Sequence, residues 1–179
     1  MNITVYLSSK TDVNPRFTEA VRTIGRGIGE MGARLVYGGS NAGQMHILAE
    51  EAKAAGAMVT GVIPEVFRSL SDPLADQVIY TLDLAERKAK LYALGAVYEA
   101  LPGGIGTLDE VMSVLAEMTI SKKYTKKIFL VNIDGIYDPF INQMQAFASA
   151  NLADSKAIEC LVPVASAEEC LNQIQNLRN

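Results

Sequence analysis

The sequence predicts an α/β fold, a doubly wound and mainly parallel sheet with helices on both faces. Two observations carry that expectation. Short β-rich runs alternate with helical patterns from end to end, as successive strand–helix–strand units do. Two of the strands run into glycine clusters that open directly onto helices, the form of a ligand-binding turn in such sheets.

In order along the chain, a first strand is expected over Ile3–Leu7. The helix after it shows Phe17, Ala20, Val21, Ile24, Ile28 and Met31 at helical spacing, with Asn14 as cap and Pro15 in the first turn. Strand Arg34–Tyr37, helix Gln44–Ala55 and strand Met58–Ile63 follow. Glu65–Asp76 has little periodicity and reads as an excursion over the sheet edge, the kind of loop that covers a site. Then come strand Val78–Thr81, helix Leu84–Leu94, strand Val97–Leu101, helix Leu108–Ile120, strand Ile128–Asn132, helix Pro139–Ala150, strand Cys160–Val164 and helix Ala167–Leu177. This is a Rossmann-like order of elements. No linker or internal repeat divides it, so residues 1–179 are expected to form one domain, a size at which about 70% of the unfolded chain's surface can be buried.

Composition narrows the function. Apolar residues make up 49% and charged residues 20% of the 179, near the globular average. No apolar run approaches the length of a membrane span and the N-terminus does not resemble a signal peptide, so a soluble, cytoplasmic protein with no membrane partner is expected. A formal charge of −4 gives no electrostatic footprint for nucleic acid. Two cysteines, Cys160 and Cys170, and the single histidine, His46, are too few for a structural metal site or a disulfide framework. Both cysteines are expected as reduced thiols.

The chemistry is expected in the loops that follow strands. The first cluster is Tyr37-Gly-Gly-Ser-Asn-Ala-Gly-Gln-Met45, the second Leu101-Pro-Gly-Gly-Ile-Gly-Thr-Leu-Asp-Glu110. Glycine lets backbone N–H groups approach an anion, and the helix N-terminus adds its positive dipole end. Both loops therefore suit a phosphate. Neither has the lysine of a Walker A loop or the glycine spacing of a dinucleotide fingerprint. Thr107-Leu-Asp-Glu110 has the form of a capping box, and Ser166-Ala-Glu-Glu169 repeats it away from any glycine, so capping competes with chemistry as the reason for Glu110. Arg87 falls within the apolar stripe of Leu84, Leu91 and Leu94, where a cation needs a partner. Glu86 and Lys90 read as a surface pair. His46 has no nucleophile elbow to serve. Glu99 interrupts an apolar strand and acquires no role from the sequence.

These motifs resemble the LOG family, the cytokinin-activating nucleoside 5′-monophosphate phosphoribohydrolases long mislabelled as lysine decarboxylases. The resemblance spans nearly the whole chain and rests on Tyr37-Gly-Gly with Gly43-x-Met45, Gly61-Val-Ile-Pro64, Glu86-Arg-Lys88, Pro102-Gly-Gly-Ile-Gly-Thr-Leu-Asp-Glu110 and Asn132-Ile-Asp-Gly-Ile-Tyr137. It implies Arg87 and Glu110 as catalytic residues and Lys88 as a nucleotide contact. Gly103, Gly104, Ile105, Gly106 and Thr107 would hold the phosphate, and Gly38, Gly39, Ser40, Gly43 and Met45 would line the site from the first loop. It also implies a homodimer that needs neither metal nor cofactor.

The chain departs from the family pattern at His46, at Ser71 and Asp72, at Gly95-Ala96 and at Ala116-Glu117, positions around base and ribose rather than phosphate. The expected reaction is hydrolysis of AMP or an N6-modified AMP to free base and ribose 5-phosphate, with Arg87 holding Glu110 ionised. A carrier of a nucleotide or phosphorylated cofactor on the same scaffold is the alternative. No lysine sits in an evident pyridoxal phosphate site.

Overall fold

A computed structural model describes residues 1–177. Strands β1 (Asn2–Tyr6), β2 (Arg34–Tyr37), β3 (Met58–Pro64), β4 (Gln77–Thr81), β5 (Val97–Ala100), β6 (Ile128–Val131) and β7 (Leu161–Val164) form a seven-stranded sheet in the order β4-β3-β2-β1-β5-β6-β7. Every pairing is parallel. The doubly wound α/β expectation holds, and the order reverses at β1, between β2 and β5.

Helices α1 (Pro15–Glu30), α2 (Gly43–Ala54) and α7 (Ala167–Asn176) cover one face. Their residues Ile24, Ile28, Leu48, Ala52, Cys170 and Ile174 pack on Ile3, Val5, Leu35 and Phe129 of the sheet. The other face carries α3 (Leu84–Leu94), α4 (Ile105–Ser121), α5 (Asp138–Ser149) and the short α6 (Ser155–Ile158). There Leu91, Val111, Val114, Met118 and Met144 meet Val36, Tyr98, Ala100 and Leu130. The alternation of inward side chains along β5 sends Tyr98 and Ala100 to one core and Val97, Glu99 and Leu101 to the other. Both cysteines are free and buried. No described helix is long and apolar enough to cross a membrane.

The start of α1 follows the sequence reading: Asn14 accepts from the Arg16 N–H and Pro15 opens the helix. Ser166 likewise caps α7, accepting from Glu169 N–H while Glu169 accepts from Ala165 N–H. At Thr107 the same pattern misleads. Helix α4 begins a turn earlier than expected, with Gly104 at the cap position and no side-chain cap bond, so Thr107 and Glu110 lie inside the helix. The capping box sits instead on α3, where Asp83 accepts from Glu86 N–H and Glu86 accepts from Leu82 N–H. Glu86 therefore faces back along the chain rather than to Lys90. The Glu65–Asp76 segment contains a 3₁₀ turn over Glu65–Leu70, and α6, capped by Asp154, has no counterpart in the sequence reading.

Candidate functional site

In a sheet of this order the carboxyl ends of the strands beside the reversal leave a crevice. The loop after β1, the loop after β5 and the start of α3 meet there around a cavity of about 370 Å³. The second glycine cluster forms one wall. Because α4 starts at Ile105, the backbone N–H groups of its first turn have no partner within the helix and face the crevice with the positive end of the helix dipole. Thr107 is buried beside them. A Cβ on Gly103 would stand 2.1 Å from Thr107 Oγ1, so only glycine lets the loop turn this tightly onto the helix. Behind it the Tyr137 hydroxyl donates to Leu101 O at 2.6 Å, pinning the strand end from which the loop departs.

The cavity floor is an ion pair. Arg87 reaches across from α3 and its Nη1 donates to Glu110 Oε1 at 2.7 Å, while Nε donates to Val62 O at 3.0 Å. Both side chains are largely shielded, with 12% and 7% of their surface exposed. Arg87 is the partnered inward cation that the stripe argument required, although Leu84, its neighbour in that stripe, is exposed. Burial pushes the Glu110 carboxyl above the ordinary carboxylate range, and the charge and hydrogen bond of Arg87 draw it only part of the way back. Arg87 lowers the Glu110 pKa as expected, but desolvation outweighs it. Glu110 in turn reinforces burial in pushing the Tyr6 phenol up.

Lys88 lines the same cavity and donates to both carboxylate oxygens of Asp109 at 2.8 and 3.0 Å, tying α3 to α4 along the rim. Ile105 at the mouth is almost fully exposed, and Gly104 and Gly106 are open to solvent.

The first glycine cluster is placed differently from the second. Of its predicted residues only Met45 lines the cavity. Gly38 lies against Arg87: a Cβ there would meet Nη2 at 2.6 Å and the Met45 sulfur at 2.9 Å, so the absent side chain is what admits the guanidinium. Gly39 accepts from Asp72 N–H at 2.8 Å and Ser40 bridges to Ser71, which binds this loop to the excursion segment. Gly43 opens α2 and packs under the Ser9 and Lys10 carbonyls. Glu99 is fully buried in β5 with no hydrogen-bond partner on either oxygen beyond the nearby Cys170 thiol.

Sequence reasoning missed Ser8, Ser9 and Lys10, which line the cavity from the loop after β1. Their signal was topological: they follow the strand at which the order reverses. Among the described residues no cluster of three or more His, Cys, Asp or Glu side chains is arranged to hold a metal ion.

Comparison with known proteins gives a consistent picture. A family profile described as "Possible lysine decarboxylase" matches residues 45–174. The cytokinin riboside 5′-monophosphate phosphoribohydrolase LOG of Oryza sativa subsp. japonica is 30% identical over 177 residues, 97% of this chain and 72% of that protein. A cytokinin riboside 5′-monophosphate phosphoribohydrolase of Mycobacterium marinum is 29% identical over 171 residues, 94% of this chain and 90% of that one. Among solved structures, the molybdenum cofactor carrier protein of Chlamydomonas reinhardtii superposes with a TM-score of 0.76 at 22% identity, over 98% of this chain and 97% of that one, a likeness of fold.

Proposed function

The chain belongs to the LOG family, whose profile carries the description "Possible lysine decarboxylase", and from that membership we propose that it is a phosphoribohydrolase acting on purine nucleoside 5′-monophosphates. The observation that carries this reading is the shielded Arg87–Glu110 pair at the floor of a cavity walled by the N-terminus of α4. A phosphate held by the first-turn N–H groups and by Thr107 fixes the sugar, so binding energy remote from the reacting bond positions C1′ over the carboxylate. As the C1′–N9 bond breaks, the ribose gains oxocarbenium character and the base takes the bonding electrons. Glu110 stabilises the cation and accepts a proton from water, whose oxygen adds to C1′. That proton ends on the departing base, leaving ribose 5-phosphate. A carboxyl raised above its ordinary value by burial suits such two-way proton transfer better than an unshifted one.

Arg87 offsets the buried charge and anchors Glu110. Lys88 is assigned to the nucleotide at the rim, where it exchanges Asp109 for the ligand. The working unit is taken to be a single-domain, cytoplasmic homodimer. The exposed apolar side chains of α4, Ile105, Met112 and Ile120, run along one side of the helix and support that assembly.

Chromatography of purified protein incubated with a panel of nucleoside 5′-monophosphates, AMP and N6-modified AMP among them, tests the reading. Free base and ribose 5-phosphate are expected in equal amounts. Tight binding of nucleotide without released base overturns it in favour of a carrier of a nucleotide or phosphorylated cofactor, a reading supported by the fold shared with the molybdenum cofactor carrier.

A further inference from the structure

His46 and Asp72, two of the positions where the chain departs from its family's pattern, face each other. The Nδ1 of His46 lies 3.1 Å from Oδ2 of Asp72. The Asp72 side chain has no exposed surface, whereas 39% of the His46 side chain is exposed. A carboxylate removed from water needs donors around it. Asp72 has the Leu74 N–H on Oδ1 at 3.0 Å and the His46 ring on Oδ2; the buried Tyr37 hydroxyl makes no hydrogen bond, and burial and the Asp72 charge push its phenol up. An ionised carboxylate only accepts, so in this contact the His46 ring nitrogen is the donor to an ionised Asp72.

What this pair holds is the junction between two loops. The Asp72 N–H donates to Gly39 O at 2.8 Å, the Asn41 N–H donates to Leu70 O at 2.9 Å, and Ser40 bridges to Ser71. One residue before Gly39, Gly38 lies so close to Arg87 that a Cβ there would stand 2.6 Å from Nη2 of the guanidinium. His46 itself does not line the cavity, so it acts at one remove. We propose that His46 and Asp72 are a positioning pair: by locking the Glu65–Asp76 segment onto the first glycine loop they set the backbone against which Arg87 presents its guanidinium to Glu110. In its kinetic part the inference rests on the hydrolase reading above.

The test follows the Arg87 Nε–H resonance by NMR in the intact protein and the hydrolysis of AMP on the same samples. In His46→Ala the resonance is expected to shift, and kcat to fall about tenfold with KM within about twofold, because misplacing a catalytic partner costs rate more than binding. His46→Asn, which keeps a donor near the Nδ1 position, is expected to restore both. An unmoved Arg87 resonance in His46→Ala overturns the proposal whatever the rates. A shifted resonance with wild-type kcat overturns it too, reducing the pair to a local latch. Wild-type protein that releases no base overturns the hydrolase reading instead, and the resonance alone then decides the pair.

Discussion

Arg87 and Glu110 are 23 residues apart and meet at 2.7 Å, the first from the helix after edge strand β4, the second from the helix after β5 beside the strand reversal. Their contact joins the two windings of the sheet, so each can be varied without removing the element that carries the other.

Glu110→Gln keeps an acceptor for Arg87 but removes the negative charge. Under the hydrolase reading it should bind AMP and lose base release by about 10²–10⁴-fold, the span expected for a lost general acid–base group. Helix capping is no longer a competing reason for the residue, since Glu110 lies inside α4. Calorimetry with AMP and a turnover assay on one preparation check this, and retention of half the wild-type rate would count against the mechanism.

Ser166→Ala and Thr107→Val should separate cap from site. Ser166 accepts from Glu169 N–H, and losing an N-cap costs about 1 kcal/mol. Thr107 makes no cap bond, so its isosteric valine should leave stability within about 0.5 kcal/mol of wild type and weaken AMP binding. Urea titration gives the first quantity and calorimetry the second. Equal destabilisation by the two substitutions would restore Thr107 as a cap.

Glu99 makes stability depend on pH. Burial raises its carboxyl from 4.5 to about 8. Between those values the folded state holds a proton that the unfolded state has released, so this group's contribution falls as pH rises, by at most about 1.4 kcal/mol per unit, and levels off above about 8. Glu99→Gln removes the titration. Its stability relative to wild type should therefore grow from about pH 5 to about pH 8 and then stay constant. A difference that does not vary with pH in denaturant titrations would mean Glu99 is ionised in the fold.

Lys126 closes the C-terminus of α3: its ammonium donates to Tyr92 O at 3.3 Å and Gly95 O at 2.7 Å and lies over the Tyr92 ring. Lys126→Met should lower stability by about 1–2 kcal/mol with KM for AMP unchanged. A change in KM without loss of stability would place Lys126 in the site rather than the scaffold.

By light scattering the particle should weigh about twice the 19.3 kDa chain, and Ile120→Glu should shift it towards one chain mass by placing a charge among exposed apolar side chains. A wild-type protein of one chain mass would remove the dimer from the functional reading.

Much of this was legible along the chain. Strand–helix alternation fixes a parallel sheet because parallel neighbours need crossovers, and Arg87 declared itself as a cation in an apolar stripe. The start of α4 was not legible, because Gly104 and Gly106 read as loop although the helix already includes Gly106. Nor was the meeting of His46 with Asp72, which depends on how the excursion folds back over the first glycine loop. Ser8, Ser9 and Lys10 became site residues only through strand order, which local pattern does not encode.

The sheet order also bears on how the protein is made. β1 precedes the other strands in the chain and pairs with β2 and β5, and the Asn2 side chain bonds the carbonyl of Leu94, 92 residues on. During synthesis β1 to β4 can assemble as a half-sheet, but the β5 side of β1 stays unpaired until Val97–Ala100 has emerged, and such waiting edges are where nascent chains associate wrongly. Arg87 is translated before Glu110, so the cavity floor closes only when the second winding docks.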